Sequence, residues 1–257
     1  MVATSVIGCG NMGSALVTGL WKSGNHTVVA CDLDPAAREA VAEYCTETTD
    51  DVSRAGEADV VFLAVKPDVV EAVLEELDLS ADQTLVTIAA GVPTDFVAAR
   101  TDASVVRIMP NLAAETRDMA AAATGDLSAE VRELLADVGE YAEIAEEQMD
   151  IATAVNGSGP AFVFYFIQAM TEAGVAGGLD EEEAEVLAAQ TFKGAAETVL
   201  RDDRTADELI DAVCSPNGTT IEGMEVLWDS DADETLAAAV AAAEARSEEL
   251  AAAFDDG

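Results

Sequence analysis

Up to residue 151 the chain alternates short apolar runs with longer amphipathic stretches. Val2–Ile7, Val28–Cys31, Ala58–Val65, Leu85–Ala89 and Val105–Met109 read as strands. Asn11–Ser23, ending near Gly24, Pro35–Tyr44, Pro67–Leu77 and Ala129–Val138 read as helices. Asp34 suits an N-cap and Pro35 a first helical position. Met119–Ala123 and Tyr141–Ala145 are weaker strand patterns. The continuous apolar run Ala58–Val65 fits a central parallel strand buried on both faces. This succession predicts an α/β fold, a parallel twisted sheet with helices on both sides.

Beyond residue 151 the strand signal stops. Helices are expected at roughly 160–177, 181–200, 205–213 and 217–228, then in an Ala/Glu-rich stretch to about 253. The first has apolar residues almost all round, so it needs cover on several sides, from its own domain or another subunit. The expected division is 1–151 and 152–257. About a hundred helical residues are few for independent stability, so interlocked helical domains of a dimer are expected.

Gly8-Cys9-Gly10-Asn11-Met12-Gly13 follows the first strand and opens the first helix. Gly8 permits a tight turn, Gly10 a close approach of backbone to pyrophosphate, and Gly13 close packing of helix on strand. The helix N-terminus would face the phosphates. Asp32 ends the second strand about twenty residues on, where a carboxylate meets an adenosine ribose. Asp32 would accept from a 2′-hydroxyl and repel a 2′-phosphate, which predicts NADH over NADPH. Arg38, one helical turn on, is the candidate for a compensating charge. The other strands finish at Ala64-Val65-Lys66-Pro67, Ala89-Ala90-Gly91 and Met109-Pro110-Asn111. Small residues at these carboxyl ends let a flat cofactor lie against backbone.

A second informative segment is Ser215-Pro216-Asn217-Gly218-Thr219-Thr220, a turn feeding a helix. Such a turn aims N–H groups at one point and can bind a carboxylate or phosphate. Simple helix capping explains it equally well.

Composition narrows the partners. Asp and Glu number 51 against 12 Lys and Arg, a formal charge of −39 spread along the chain. Such a shell fits a protein working in high salt, in a halophile cytoplasm, where screening relieves self-repulsion. It disfavours nucleic acid and anionic membrane surfaces as partners. Cys9, Cys31, Cys45 and Cys214 form no CxxC pair and suit free thiols in a reducing compartment. No signal peptide is expected, and Ala161–Ala169 is too short to span a bilayer. No metal is expected, and His26 reads as structural.

The chain resembles the pyrroline-5-carboxylate reductases. The resemblance rests on Gly8–Gly13, Ala64–Pro67, Ile88–Val92, Met109–Asn111, Gly157–Ala161, Ala189–Thr191 and Ser215–Thr220, in the family's order. It implies an N-terminal Rossmann-type domain and a C-terminal all-helical dimerisation domain, in a homodimer with assembly into a larger homo-oligomer left open. It implies reduction of the cyclic imine 1-pyrroline-5-carboxylate to L-proline by NAD(P)H. Thr220 would stand beside the imine nitrogen. Ser215 and the N–H groups of Gly218, Thr219 and Thr220 would hold the substrate carboxylate. Gly8, Gly10, Asn11, Met12, Gly13, Asp32, Ala64, Val65, Lys66, Pro67, Ala90 and Asn111 would hold the dinucleotide. Four positions depart from the family: Leu112-Ala113 stand for Thr-Pro, Asn217 for Gly, and Asn156 for the common Ser. Asn tolerates positive φ next best after Gly, so the turn should survive.

Rival readings are a 3-hydroxyacid dehydrogenase of similar layout, a deazaflavin-dependent NADP reductase and a non-catalytic NADH-binding redox sensor. The first wants a Lys base, and Lys193 lacks the Lys-x-x-x-Asn spacing. The second needs no Ser215–Thr220 turn. The third leaves an apparently complete substrate site unused.

Overall fold

The computed structural model describes residues 1–254. Its strands are β1 (Ala3–Ile7), β2 (Thr27–Cys31), β3 (Glu47–Thr49), β4 (Val60–Leu63), β5 (Thr84–Thr87), β6 (Ser104–Met109), β7 (Met119–Gly125) and β8 (Gly139–Glu143). Among the described residues they form one sheet in the order β3-β2-β1-β4-β5-β6-β7-β8. The order reverses between β1 and β4, which opens a crevice at their carboxyl ends. The helices of this part are α1 (Asn11–Ser23), α2 (Pro35–Val41), α3 (Val52–Ala55), α4 (Val70–Glu76), α5 (Thr94–Ala98), α6 (Ala129–Val138) and α7 (Met149–Ala152).

The continuous apolar strands have their cause in this layering. Val6, Phe62, Val86 and Ile108 face one side, against Leu16, Val17 and Leu20 of α1 and Leu134 and Leu135 of α6. Val61, Leu63 and Leu85 face the other, against Val70, Val73 and Leu74 of α4 and Val97 of α5. Gly24 closes α1 in the left-handed region at φ 74°, its N–H bonded to the Trp21 carbonyl.

The all-parallel expectation needs one correction. β6 and β7 pair antiparallel. Residues 110–118 are too few for the crossover that a parallel pair requires. β3 has only three residues and no apolar run, which hid it in the sequence.

The C-terminal helices are α8 (Gly159–Ala176), α9 (Glu181–Arg201), α10 (Ala206–Val213), α11 (Thr219–Trp228) and α12 (Ala232–Ala251). A π-turn, Thr153–Gly157, precedes α8. No residue of α8 is buried within this chain, and Phe164 and Tyr165 are 67% and 69% exposed.

The compact units of one chain also differ from the division at 151/152. Among the described residues, one unit holds residues 1–158 and 241–254; the other is Gly159–Val240. Three contacts explain why the end of α12 belongs with the sheet. The buried Ser247 hydroxyl donates to Asp150 Oδ1 at 2.6 Å. Leu250 and Ala251 lie against Gly91. Phe254 meets Phe96 edge-on at 5.8 Å.

Ser247→Ala removes a hydrogen bond to a carboxylate and should lower stability by about 1.5–3 kcal/mol in urea unfolding. An unchanged midpoint would show that this end of α12 contributes nothing to the sheet unit.

Candidate active site

The β1–α1 turn is built without spare volume at two of its glycines. Gly8 has φ +98°, and a β-carbon there would stand 2.6 Å from the Ala64 carbonyl oxygen. One on Gly13 would stand 1.8 Å from the Gly8 carbonyl oxygen. Gly10 is different: its φ of −68° suits any residue, and a β-carbon there would meet nothing within 4 Å. Nothing in the protein's own packing requires glycine at position 10, and the space beside it is open. Gly10 is the N-cap of α1 and supplies no side-chain cap. The N–H groups of Asn11, Met12 and Gly13 in the first turn therefore face that space.

Beside the turn is a cavity of about 340 Å³ lined by Gly8, Gly10, Asp32, Ala64, Val65 and Lys66 among others. Six predicted residues from three strand ends thus meet in one place. Leu33, Val52, Val69, Ala72, Val73 and Glu76 also line it and went unpredicted. The signal for four of them was present: positions 69, 72, 73 and 76 are spaced by three and four, one face of the helical stretch after Pro67. Pro67 begins the short helical turn Pro67–Val69 that aims this face.

The Asp32 carboxylate is fixed in the cavity wall. Oδ2 accepts from the Cys9 N–H at 2.7 Å and Oδ1 from the Asp34 N–H at 2.8 Å. Each oxygen keeps lone-pair capacity for a hydroxyl donor. Arg38 does not approach this carboxylate through a salt bridge. Its Nη1 donates to the Asp32 and Leu33 carbonyls, at 2.5 and 3.2 Å, and its Nη2 lies 3.5 Å from Asp50. Burial, with the nearby Asp32 charge, pushes the Cys9 thiol up to about 12 and the Cys31 thiol to about 11. Both stay protonated at neutral pH, which suits packing and not nucleophilic chemistry.

Ala90 lies partly buried on a small cluster of Met109, Ala122 and Met149. Asn111 is buried, and its carboxamide is engaged within the protein. Nδ2 donates to the Asn156 carbonyl, and Oδ1 accepts from the N–H groups of Ala113 and Ala120. Asn111 therefore shapes the loop after β6. Asn156 completes the arrangement by donating to the carbonyls of Met109 and Ala120.

His26 is buried away from these residues. It pairs with Asp137 at 2.8 Å and ties the start of β2 to α6.

In the helical unit, Ser215–Gly218 form a turn with Pro216 second and Asn217 third, at φ 57°. Gly218 N–H donates to the Ser215 carbonyl at 2.9 Å. This is the type II pattern, and Asn217 adopts the positive φ expected of it. The bond corrects one expectation: the Gly218 N–H closes the turn and is not free for a carboxylate. Gly218 acts through shape, since a β-carbon would lie 2.3 Å from Ser215 Oγ. Gly218 is the N-cap of α11 with no side-chain cap. Thr219 and Thr220 are the first two helical residues, exposed, their N–H groups without helical acceptors. Side-chain capping, the bland reading, is therefore ruled out for this helix.

Comparison with known proteins decides the family. The chain is 37% identical to pyrroline-5-carboxylate reductase of Methanosarcina acetivorans, over 95% of this chain and 96% of that protein. The family model described as pyrroline-5-carboxylate reductase dimerisation matches residues 146–250. The chain belongs to the pyrroline-5-carboxylate reductase family. The Escherichia coli reductase is also 37% identical, over 86% of this chain and 88% of that one. The Coxiella burnetii reductase structure superposes with a TM-score of 0.85 at 29% identity, covering 97% of this chain and 98% of that one. The Plasmodium falciparum structure, which has NADP bound, gives 0.81 at 26%, with coverage of 97% and 98%. Residues 4–91 also match the model for NADP oxidoreductase, coenzyme F420-dependent, in keeping with a shared dinucleotide fold. Among the described residues, no helix is long and apolar enough to cross a membrane.

The two tight glycines separate folding from binding. Gly13→Ala should fail to accumulate as folded protein. Gly10→Ala should keep the wild-type melting curve but weaken dinucleotide binding by roughly tenfold or more, about 1.4 kcal/mol. Thermal melts and a fluorescence titration check both; unweakened binding by Gly10→Ala would remove the ligand from that space.

Proposed function

We propose that this chain reduces 1-pyrroline-5-carboxylate to L-proline with a reduced nicotinamide dinucleotide. The observation that carries the reading is a pair of helix N-termini, those of α1 and α11, both begun by a glycine that offers no cap. The first suits a pyrophosphate and the second a substrate carboxylate. Family membership supplies the identity of the substrate. When bound, the dinucleotide supplies a hydride for the imine carbon.

The chain's own residues do the rest. The N–H groups of Asn11, Met12 and Gly13 hold the pyrophosphate, and the space at Gly10 admits it. Lys66 is the basic residue in the cavity lining and offsets phosphate charge there. The Ser215 hydroxyl and the N–H groups of Thr219 and Thr220 hold the substrate carboxylate. Anchoring the ring in this way orients the imine carbon, the main catalytic gain available to such a site. The Thr220 hydroxyl stands by the imine nitrogen. A hydroxyl is both donor and acceptor but a poor acid, so Thr220 positions the nitrogen or relays a proton to it. Cys9 and His26 take no part. Lys193 is exposed on α9 and lacks the surroundings of a dehydrogenase base.

The cofactor reading is NADH over NADPH. A 2′-phosphate would enter beside Asp32, with Asp34 and Asp50 close by and Arg38 already engaged with carbonyls and Asp50. High salt screens this repulsion and narrows the difference. A homodimer covers α8, whose large exposed side chains would otherwise face water. The acidic shell suits work in concentrated salt.

Thr220→Ala should lower kcat/KM for pyrroline-5-carboxylate by about a hundredfold and leave NADH binding intact, while Thr220→Ser keeps most of the rate. Unaffected turnover by the alanine variant would refute the role of Thr220. Steady-state assays with both reductants should give a higher kcat/KM for NADH, with Asp32→Ser raising the use of NADPH. A clear wild-type preference for NADPH would overturn the argument from Asp32.

A further inference from the structure

Arg107 lies in β6, two residues before the strand ends at Met109, and is 5% exposed. Its neighbours in the strand, Val105, Val106, Ile108 and Met109, are apolar. A guanidinium there must be compensated. Nη1 reaches Glu146 Oε1 at 2.5 Å, while Nε has no partner among the described residues. The other oxygen of Glu146 accepts from the Thr94 hydroxyl at 2.8 Å, and Oε1 takes the Thr94 N–H at 3.4 Å. Thr94 begins α5, whose N-cap is Pro93, a residue with no side-chain cap to offer. Glu146 thus caps α5 from another part of the chain.

One carboxylate therefore joins three segments: β6, the end of the Ala89–Pro93 loop, and the connector that begins at residue 146. That connector is pinned twice more, by Asp150 to Ser247 and by Asn156 to the Met109 and Ala120 carbonyls. The loop carries Ala90, packed with Met109 and Met149. Were pyrophosphate held at Gly10 and adenosine in the Asp32 cavity, the ends of β4, β5 and β6 on the other side of the turn would be left for the nicotinamide, and Ala90 and Met109 would back it.

The Arg107 guanidinium is buried and Glu146 keeps about a third of its side chain exposed; such pairs add little stability over apolar side chains, and breaking one leaves a buried charge uncompensated. We propose that Glu146, held by Arg107, is a positioning residue for hydride transfer, fixing the Ala89–Thr94 loop and the end of β6 behind the nicotinamide. The proposal rests on the reductase reading above.

Glu146→Gln keeps an acceptor for Thr94 and cancels the ion pair. Thr94→Val removes the hydroxyl bond alone and leaves Arg107 paired, so it remains informative if the first variant does not fold. Both are expected to lower kcat, the first by roughly tenfold, with KM for pyrroline-5-carboxylate and the dissociation constant of NADH changed less than about twofold. The deuterium isotope effect on kcat, with NADH labelled at the transferred position, should rise as hydride transfer becomes limiting. The fluorescence lifetime of bound NADH should change as well. Folded variants with wild-type kcat, isotope effect and lifetime would overturn the proposal, and so would a loss confined to melting temperature. If the wild-type enzyme does not reduce pyrroline-5-carboxylate, the reductase reading fails by itself. The lifetime of bound NADH still tests the loop.

Discussion

The carbonyl of Gly8 occupies the place where a side chain at position 13 would begin, 1.8 Å from an ideal β-carbon. Only a residue without a β-carbon at position 13 lets the first turn of α1 come this close to the end of β1. From there α1 directs Leu16, Val17 and Leu20 into the core against the sheet. The same closeness leaves the helix N-terminus standing over the crevice where the strand order reverses, between β1 and β4. Dinucleotide binding is thus a consequence of how tightly helix and strand approach. Gly8 and Gly13 permit the approach, and Gly10 leaves the space before the helix N-terminus open.

Features carried by local pattern were legible in the sequence. The glycine turn, Asp32 at the end of β2, the Asp34 cap and the positive φ of Asn217 all depend on a few adjacent residues. What escaped depends on residues far apart. Glu146 meets Arg107 across 39 positions and Asp150 meets Ser247 across 97. Arg107 did leave a trace, a lone charge in an apolar strand, but only its partner gives the charge a meaning. The Gly218 N–H was misread for a different reason. Sequence shows that a turn is present, but not which of its N–H groups the turn itself consumes. The antiparallel β7 escaped because periodicity reports a strand and says nothing of its direction.

The charge of the surface obscures how few ionic contacts matter. Arg54, Arg100, Arg132, Arg201, Arg204 and Arg246 each pair with a carboxylate, and each of these side chains is partly or largely exposed. Such pairs are individually worth little, and less in concentrated salt. Arg107 differs from these arginines because its guanidinium is buried, while its partner Glu146 is partly exposed. In a chain this acidic, a buried cation with a carboxylate beside it is screened less than the surface pairs.

Helix starts make the same distinction between structure and function. This chain has acidic residues in excess and caps many helices with them or with hydroxyls: Asp34, Asp51, Ser128, Asp180 and Thr205 each accept from the first turn they precede. α1 and α11 begin instead at Gly10 and Gly218, extended residues without a capping side chain. A carboxylate at either position would satisfy the orphan N–H groups and stabilise the helix by about 1 kcal/mol. It would also fill the place of an anion and repel one by charge. Among the described helices entered from an extended residue, α1, α5 and α11 lack a side-chain cap at that residue; Glu146 caps α5 from elsewhere in the chain, and α1 and α11 carry the dinucleotide turn and the Ser215–Thr220 turn. An omission so placed fits the two anion sites proposed above, since a helix end already satisfied by its own side chain has nothing left to offer a pyrophosphate or a substrate carboxylate.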